Sequence, residues 1–262
     1  MSPTPTAPAL FISHGAPTFA LEPGELGHAL GALGQHLQEV RGIVAVSAHW
    51  QTPELHVANT EQPDTIHDFY GFPPALYALR YPASGSAEIT QRVMQALHAS
   101  NLAAQLDHTH GMDHGVWVPL LHLRPQADIP VVCVSLPVSA TPHSAWQLGQ
   151  ALAKLRQEGV MIMGTGSLTH NLSEFRGPAV TQTAPYVTAF TTWIQTQIQN
   201  RNLSALCQYR TLAPEAKRAH PTEEHLLPLF VALGASSDTD AFDVLATEVR
   251  YGMLSMASYH WH

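Results

Sequence analysis

Four short apolar runs punctuate the first two-thirds of the chain, at residues 9–13, 43–48, 129–136 and 160–164, each bounded by Gly, Pro or Asp. Runs of this length with no polar alternation read as strands buried on both faces, and three of them are rich in Val or Ile. Between them lie stretches with helical periodicity. Ile89, Val93, Ala96 and Leu97 fall on one face of residues 86–97, and Ala145, Leu148, Leu152 and Leu155 on one face of residues 144–155. Thr141-Pro142 supplies a cap and first turn for the second, and Gly159 a stop. Phe190, Trp193, Ile194 and Ile198 mark a third helix. Strands alternating with helices predict an α/β fold: one layered domain with a central, largely buried sheet flanked by helices. The stretch 248–261 alternates weakly and is read as a final strand or an edge hairpin.

No linker, repeat or low-complexity tract divides the 262 residues, so a single domain over 1–262 is expected, with 1–7 as a flexible N-terminus. Asp and Glu number 20 against 12 Lys and Arg, a formal net charge of −8 that leaves no basic surface for nucleic acid or anionic membrane. The two cysteines, Cys133 inside an apolar run and Cys207, exclude a disulfide framework or a cysteine-rich zinc site. Met1 to Pro8 shows no secretory pattern, and no run of about 18 apolar residues occurs. A cytoplasmic protein is the expectation.

Histidine is the exception in this composition: 17 residues, more than Lys and Arg together. Histidine is the commonest metal ligand and titrates near neutrality, but most histidines do neither job. Position sorts them. In open α/β sheets ligands bind beyond the carboxyl ends of the strands. His14 follows the first apolar run, His49 the second, and His170 lies six residues after the fourth. Any one alone is as well explained as a satisfied core or loop residue; three at the same topological place favour a metal site. His225 is a fourth candidate, in Pro221-Thr222-Glu223-Glu224-His225, where Thr222 and the two glutamates read as the capped first turn of a helix. His67 and His114 sit in loops rich in Gly and aromatic residues, which suits a pocket for a flat ring. Asp68 and Asp113, their sequence neighbours, are candidates to orient an imidazole. The remaining histidines carry no supporting pattern.

At these residues the sequence resembles the class III extradiol ring-cleaving dioxygenases, in the 4,5-DOPA extradiol dioxygenase branch. The matching segments are Phe11-Ile12-Ser13-His14-Gly15-Ala16-Pro17, Val46-Ser47-Ala48-His49-Trp50, Thr65-Ile66-His67-Asp68-Phe69-Tyr70-Gly71-Phe72-Pro73 and Leu79-Arg80-Tyr81-Pro82-Ala83. Asp113-His114-Gly115-Val116-Trp117, Gly166-Ser167-Leu168-Thr169-His170-Asn171-Leu172 and Pro221-Thr222-Glu223-Glu224-His225 continue them in order. The resemblance implies an α/β domain with a metal at one end of the sheet. It implies His14, His49, His170 and His225 as metal ligands, His114 as acid/base and His67 as a substrate-pocket residue. It implies one divalent ion per chain, Zn²⁺ or Fe²⁺, with a catechol such as DOPA and O₂ as substrates. Fe²⁺ is the ion that ring cleavage requires, because Zn²⁺ lacks redox chemistry. A zinc hydrolase using His114 or Glu224 as base, and a non-enzymatic metal-containing binding protein, are the competing readings.

Overall fold

The structure, a computed structural model, describes residues 6–262. Its strands are β1 (Ala9–Ser13), β2 (Gly42–Thr52), β3 (Leu55–Ala58), β4 (Ala104–Asp107), β5 (Val131–Pro137), β6 (Val160–Gly166), β7 (Phe242–Ala246), β8 (Val249–Arg250), β9 (Leu254–Ser255) and β10 (Ser258–Trp261). Its helices are α1 (Gly24–Gly34), α2 (Pro74–Ala78), α3 (Ala87–Ala99), α4 (His114–Leu123), α5 (Pro142–Leu152), α6 (Pro185–Gln199), α7 (Leu203–Cys207), α8 (Tyr209–Leu212), α9 (Ala216–Ala219) and α10 (Leu227–Ala235). Eight strands share one sheet in the order β4-β3-β5-β2-β6-β1-β10-β7, and β8 pairs with β9. The expected α/β domain with a central buried sheet is the observed one.

The four apolar runs of the sequence are the parallel centre of the sheet, β5-β2-β6-β1. Every residue of β1 and β6 is buried, and all but the last of β5, which is why these strands read as unbroken apolar runs. Although β6 is the last of the four in sequence, it lies between β1 and β2. Three neighbouring strands therefore release their chains at one end of the sheet.

The predicted helices at 86–97 and 144–155 form, each with a side-chain cap. Ser86 accepts from the Ile89 amide at the start of α3, and Thr141 forms a capping box with Ser144 at the start of α5. Beyond Leu152 the chain tightens into a 3₁₀ segment, Ala153–Glu158, closed by Gly159 at φ +83°. The C-terminal stretch does yield a strand, but β10 is interior, pairing antiparallel with β1 on one side and β7 on the other. A seryl pair explains its placement: the Ser13 amide donates to the Ser258 hydroxyl at 2.9 Å, and the Ser13 hydroxyl to the Ala257 carbonyl at 2.7 Å.

Of the N-terminal stretch expected to be flexible, residues 1–5 lie outside the described residues. Ala7 is buried and exchanges hydrogen bonds with Arg156 in the turn that precedes β6. The Arg156 guanidinium, itself 2 % exposed, also donates to the Ala235 carbonyl at 2.8 Å and to Asp240 Oδ2 at 2.6 Å. It stands at the amino ends of the parallel strands, opposite the histidines. Among the described residues no helix is long and apolar enough to cross a membrane.

Candidate metal centre

Each histidine reaches the carboxyl end of the sheet by a different local device. The backbone turns after His14 at Gly15, whose φ of +66° is a conformation that favours glycine. β2 does not end at Ala48 as the apolar run suggests but continues to Thr52. Its ladder with β6 stops at Ser47, and its ladder with β5 breaks between Val46 and Gln51. His49 sits in that irregularity, where a bulged strand re-aims its side chains. His225 arrives because Gly166 lets its segment lie against β6. A Cβ on Gly166 would stand 2.1 Å from the His225 carbonyl oxygen, and the Ser167 amide donates to that same carbonyl at 2.8 Å. His114 opens α4.

Tautomers follow from the partners. Thr165 gives its one hydroxyl proton to the Gly115 carbonyl at 2.6 Å, so toward His14 Nδ1, at 3.2 Å, it accepts. His14 therefore carries its proton on Nδ1 and presents a bare Nε2. His225 Nδ1 donates to Glu224 Oε1 at 2.9 Å, and its Nε2 is buried with no hydrogen-bond partner. His49 Nδ1 stands 3.6 Å from Asp68 Oδ2, which draws the proton to that side of the ring. Its Nε2 lies 3.0 Å from His14 Nε2. Two lone pairs facing each other at that distance repel unless a cation lies between them. Two metal–nitrogen bonds of about 2.0–2.1 Å at tetrahedral or right angles place their nitrogens roughly 2.9–3.4 Å apart.

The electrostatics agree. Burial, followed by the neighbouring histidines, holds His14 well below the ordinary histidine pKa. Burial and the nearby His114 and His225 bring His49 to about 2, and burial with His225 brings His170 to about 3. These rings are neutral at pH 7, with lone pairs free to bind. Behind them stand two carboxylates that stay ionised. Burial alone would raise Asp68 and Glu224, but hydrogen bonds from His114 and from His225 overcome it and hold each at about 2. Bare imidazole nitrogens backed by fixed negative charge fit a divalent ion.

The structure gathers all four proposed ligands, but not equivalently. The His225 ring centroid is 5.5 Å from that of His14 and 5.0 Å from that of His49. His170 instead lies face to face with His225, centroids 3.5 Å apart and planes within 6°. An ion in the plane of one ring is then more than about 3 Å from every atom of the other, beyond a bond of about 2.0–2.1 Å. As the rings stand, one ion in the plane of either ring is out of reach of the other, and the possible ligand atoms fall into two groups, His14, His49 and His114 on one side and His170, Glu224 and His225 on the other.

His114 closes the cluster, with its ring 4.1 Å from His49 and 5.3 Å from His14. His67 lies farther out. Its Nε2–H donates to the Leu79 carbonyl at 3.1 Å, and its ring packs against Trp117 and Phe69. Phe69 in turn meets His114 edge-on at 5.7 Å, so one aromatic ring separates His67 from His114.

The acidic neighbours do other work than adjacency suggests. Asp68 binds His114 rather than His67, through Nδ1 and the backbone amide, both at 2.9 Å. Asp113 accepts from the Ser47 hydroxyl at 2.7 Å, and burial pushes its pKa up to about 6. The helix-cap reading of residues 222–224 is corrected: α10 begins at Leu227, Glu224 holds His225, and Glu223 accepts from the Tyr209 hydroxyl at 3.0 Å. Thr165, which sets the His14 tautomer, was not singled out from the sequence. Nothing in a Gly-Thr-Gly strand end marks it before its partner is known.

Comparison with known proteins follows the same lines. Residues 8–260 match the family described as the catalytic LigB subunit of aromatic ring-opening dioxygenase. The chain is 37% identical over 253 residues to the 4,5-DOPA dioxygenase extradiol of Beta vulgaris, an alignment spanning 95% of this chain and 94% of that protein. It is 36% identical over 256 residues to the protein of the same name from Escherichia coli K12, across 96% and 93% of the two chains. Among solved structures, an uncharacterized protein of Escherichia coli K12 superposes with a TM-score of 0.81 at 29% identity, covering 97% of this chain and 99% of that one.

Proposed function

The chain belongs to the LigB family of aromatic ring-opening dioxygenases, and from that premise we propose that it opens a catechol ring, such as that of DOPA, by extradiol cleavage with O₂. On this reading residues 1–262 form one catalytic domain, and His14, His49 and His225 hold one divalent ion. The observation that carries the ligand set is the pair of bare nitrogens at 3.0 Å, His14 Nε2 and His49 Nε2, together with the buried, unpartnered Nε2 of His225, whose ring centroid lies 5.5 Å from that of His14 and 5.0 Å from that of His49. Relatives named as dioxygenases favour this reading over a hydrolase or a binding protein.

A redox-active ion such as Fe²⁺ in this site would acidify a catechol hydroxyl and pass electrons between the ring and O₂, which Zn²⁺ does not do. The chain's own residues do the rest. His114 takes the hydroxyl proton on its Nε2 and returns it as the ring opens, while Asp68 faces the charge that forms on its imidazole. Phe69, Trp117 and His67 form an aromatic wall leading away from His114, against which a flat ring and its side chain lie. His170 makes no side-chain hydrogen bond among the described residues and stays neutral, and it is left to meet the substrate from above His225.

The test is anaerobic loading with Fe²⁺ followed by a panel of catechols, DOPA included, in the presence of O₂. A yellow ring-fission product with one O₂ consumed per ring supports the reading. A fully Fe²⁺-occupied protein that turns over no catechol in a broad panel overturns it.

A further inference from the structure

Asp68 occupies a position that the metal cluster alone does not explain. It sits in the aromatic loop before α2, and its side chain is 26% exposed, yet it reaches into the cluster. One oxygen, Oδ1, receives both the His114 backbone amide and His114 Nδ1 at 2.9 Å. The other, Oδ2, faces His49 Nδ1 at 3.6 Å. Asp113, the residue at the N-cap of α4, provides no side-chain cap; its Oδ1 accepts from Ser47 and its Oδ2 is buried without a partner. Asp68 thus supplies from a distant loop the negative charge that a helix N-terminus attracts, and does so on the residue that opens the helix.

We propose that Asp68 is the positioning residue of the reaction, fixing the His114 proton on Nδ1 so that Nε2 faces the cluster as proton acceptor, and turning His49 toward the ion with its other oxygen. This rests on the proposed function for His114. A neutral imidazole has one N–H and one lone pair, and a carboxylate only accepts; Asp68 therefore decides which nitrogen is which. When Nε2 accepts a hydroxyl proton the ring becomes a cation, with the Asp68 carboxylate already in contact. A single side chain so ties the acid/base and a metal ligand to the loop that carries Phe69.

The experiment uses zinc-loaded, ¹⁵N-histidine-labelled full-length protein, with the His114 signals assigned through His114→Gln. Wild type shows an unprotonated Nε2. Asp68→Ala shows Nε2–H populated, and in the Fe²⁺-loaded enzyme its kcat falls about 10–100-fold with KM nearly unchanged. Asp68→Asn retains an acceptor oxygen but not the charge, so it keeps the wild-type tautomer and falls between the two in kcat. A wild-type tautomer in Asp68→Ala, or an unchanged kcat in either variant, overturns the proposal. Should Asp68→Ala fail to fold, Asp68→Asn decides by the same kcat criterion. Should wild type open no catechol ring, the functional reading fails while the tautomer measurement still judges Asp68.

Discussion

Two buried polar centres sit at opposite ends of the same parallel strands, and they are finished differently. At the amino ends, Arg156 donates to the carbonyls of Ala7 and Ala235 and to the carboxylate of Asp240. Its charge is paired, its donors have acceptors, and the result ties together the N-terminal segment, α10 and the turn before β7. At the carboxyl ends, His14 and His225 are oriented just as firmly through Nδ1, but their other nitrogens meet only more histidine or nothing. Burying a polar atom without a partner costs about 1–3 kcal/mol. A chain that satisfies one end and leaves the other open keeps the open end for something that arrives later. On the proposed function the first centre is structural and the second holds the metal.

That contrast breaks most completely at the ligands. His14→Ala or His49→Ala should abolish metal retention and turnover together while leaving the fold intact, as metal analysis and circular dichroism will show. Next comes His114→Ala, which should retain the metal and lose about 10²–10⁴-fold in kcat, the usual range for a general acid/base, in an oxygen-uptake assay. At the opposite pole, Arg156→Ala leaves Asp240 unpaired and should destabilise the protein by roughly 3–5 kcal/mol in urea unfolding. The folded fraction should still bind its metal. If Arg156→Ala instead strips the metal without loss of stability, the division between the two ends is wrong.

The smallest effect is a pH dependence of the histidine cluster. His49 and His170 titrate near 2 and 3 in the folded metal-free chain against about 6.5 unfolded. Below pH 6.5 the unfolded state therefore binds more protons, and stability falls as pH falls, by about 1.4 kcal/mol per unit for each such histidine. Above pH 7 both states are neutral there and the dependence vanishes. Urea midpoints of metal-free protein between pH 8 and pH 5.5 measure it, and bound metal should deepen the loss, since protons compete for the same nitrogens.

How much of this was legible in the sequence follows from the range of the interactions. The four central strands were visible because a strand buried on both faces writes itself as an apolar run, α3 because its apolar face repeats with helical period, and α5 also because Thr141 acts within three residues. β4, with the half-exposed sequence Ala-Gln-Leu-Asp, has no such pattern, and the interior place of β10 depends on Ser13, 245 residues away. The site divides in the same way. His14 and His49 announced themselves at the ends of apolar runs. Asp68 was legible only as a partner for its neighbour His67, and Thr165 not at all, because what they hold, His114 and His14, lies 46 and 151 residues off in sequence. The stacking that sets His170 apart from His225 likewise exists only once two loops are folded together.

X-ray absorption at the metal edge of protein loaded with one equivalent of Fe²⁺ or Zn²⁺ counts the imidazole nitrogens around the ion. One tightly held ion per chain with three imidazole nitrogens at about 2.0–2.1 Å is expected, reduced to two in His225→Ala. A first shell without histidine nitrogen, or one unchanged by His225→Ala, would contradict that ligand set.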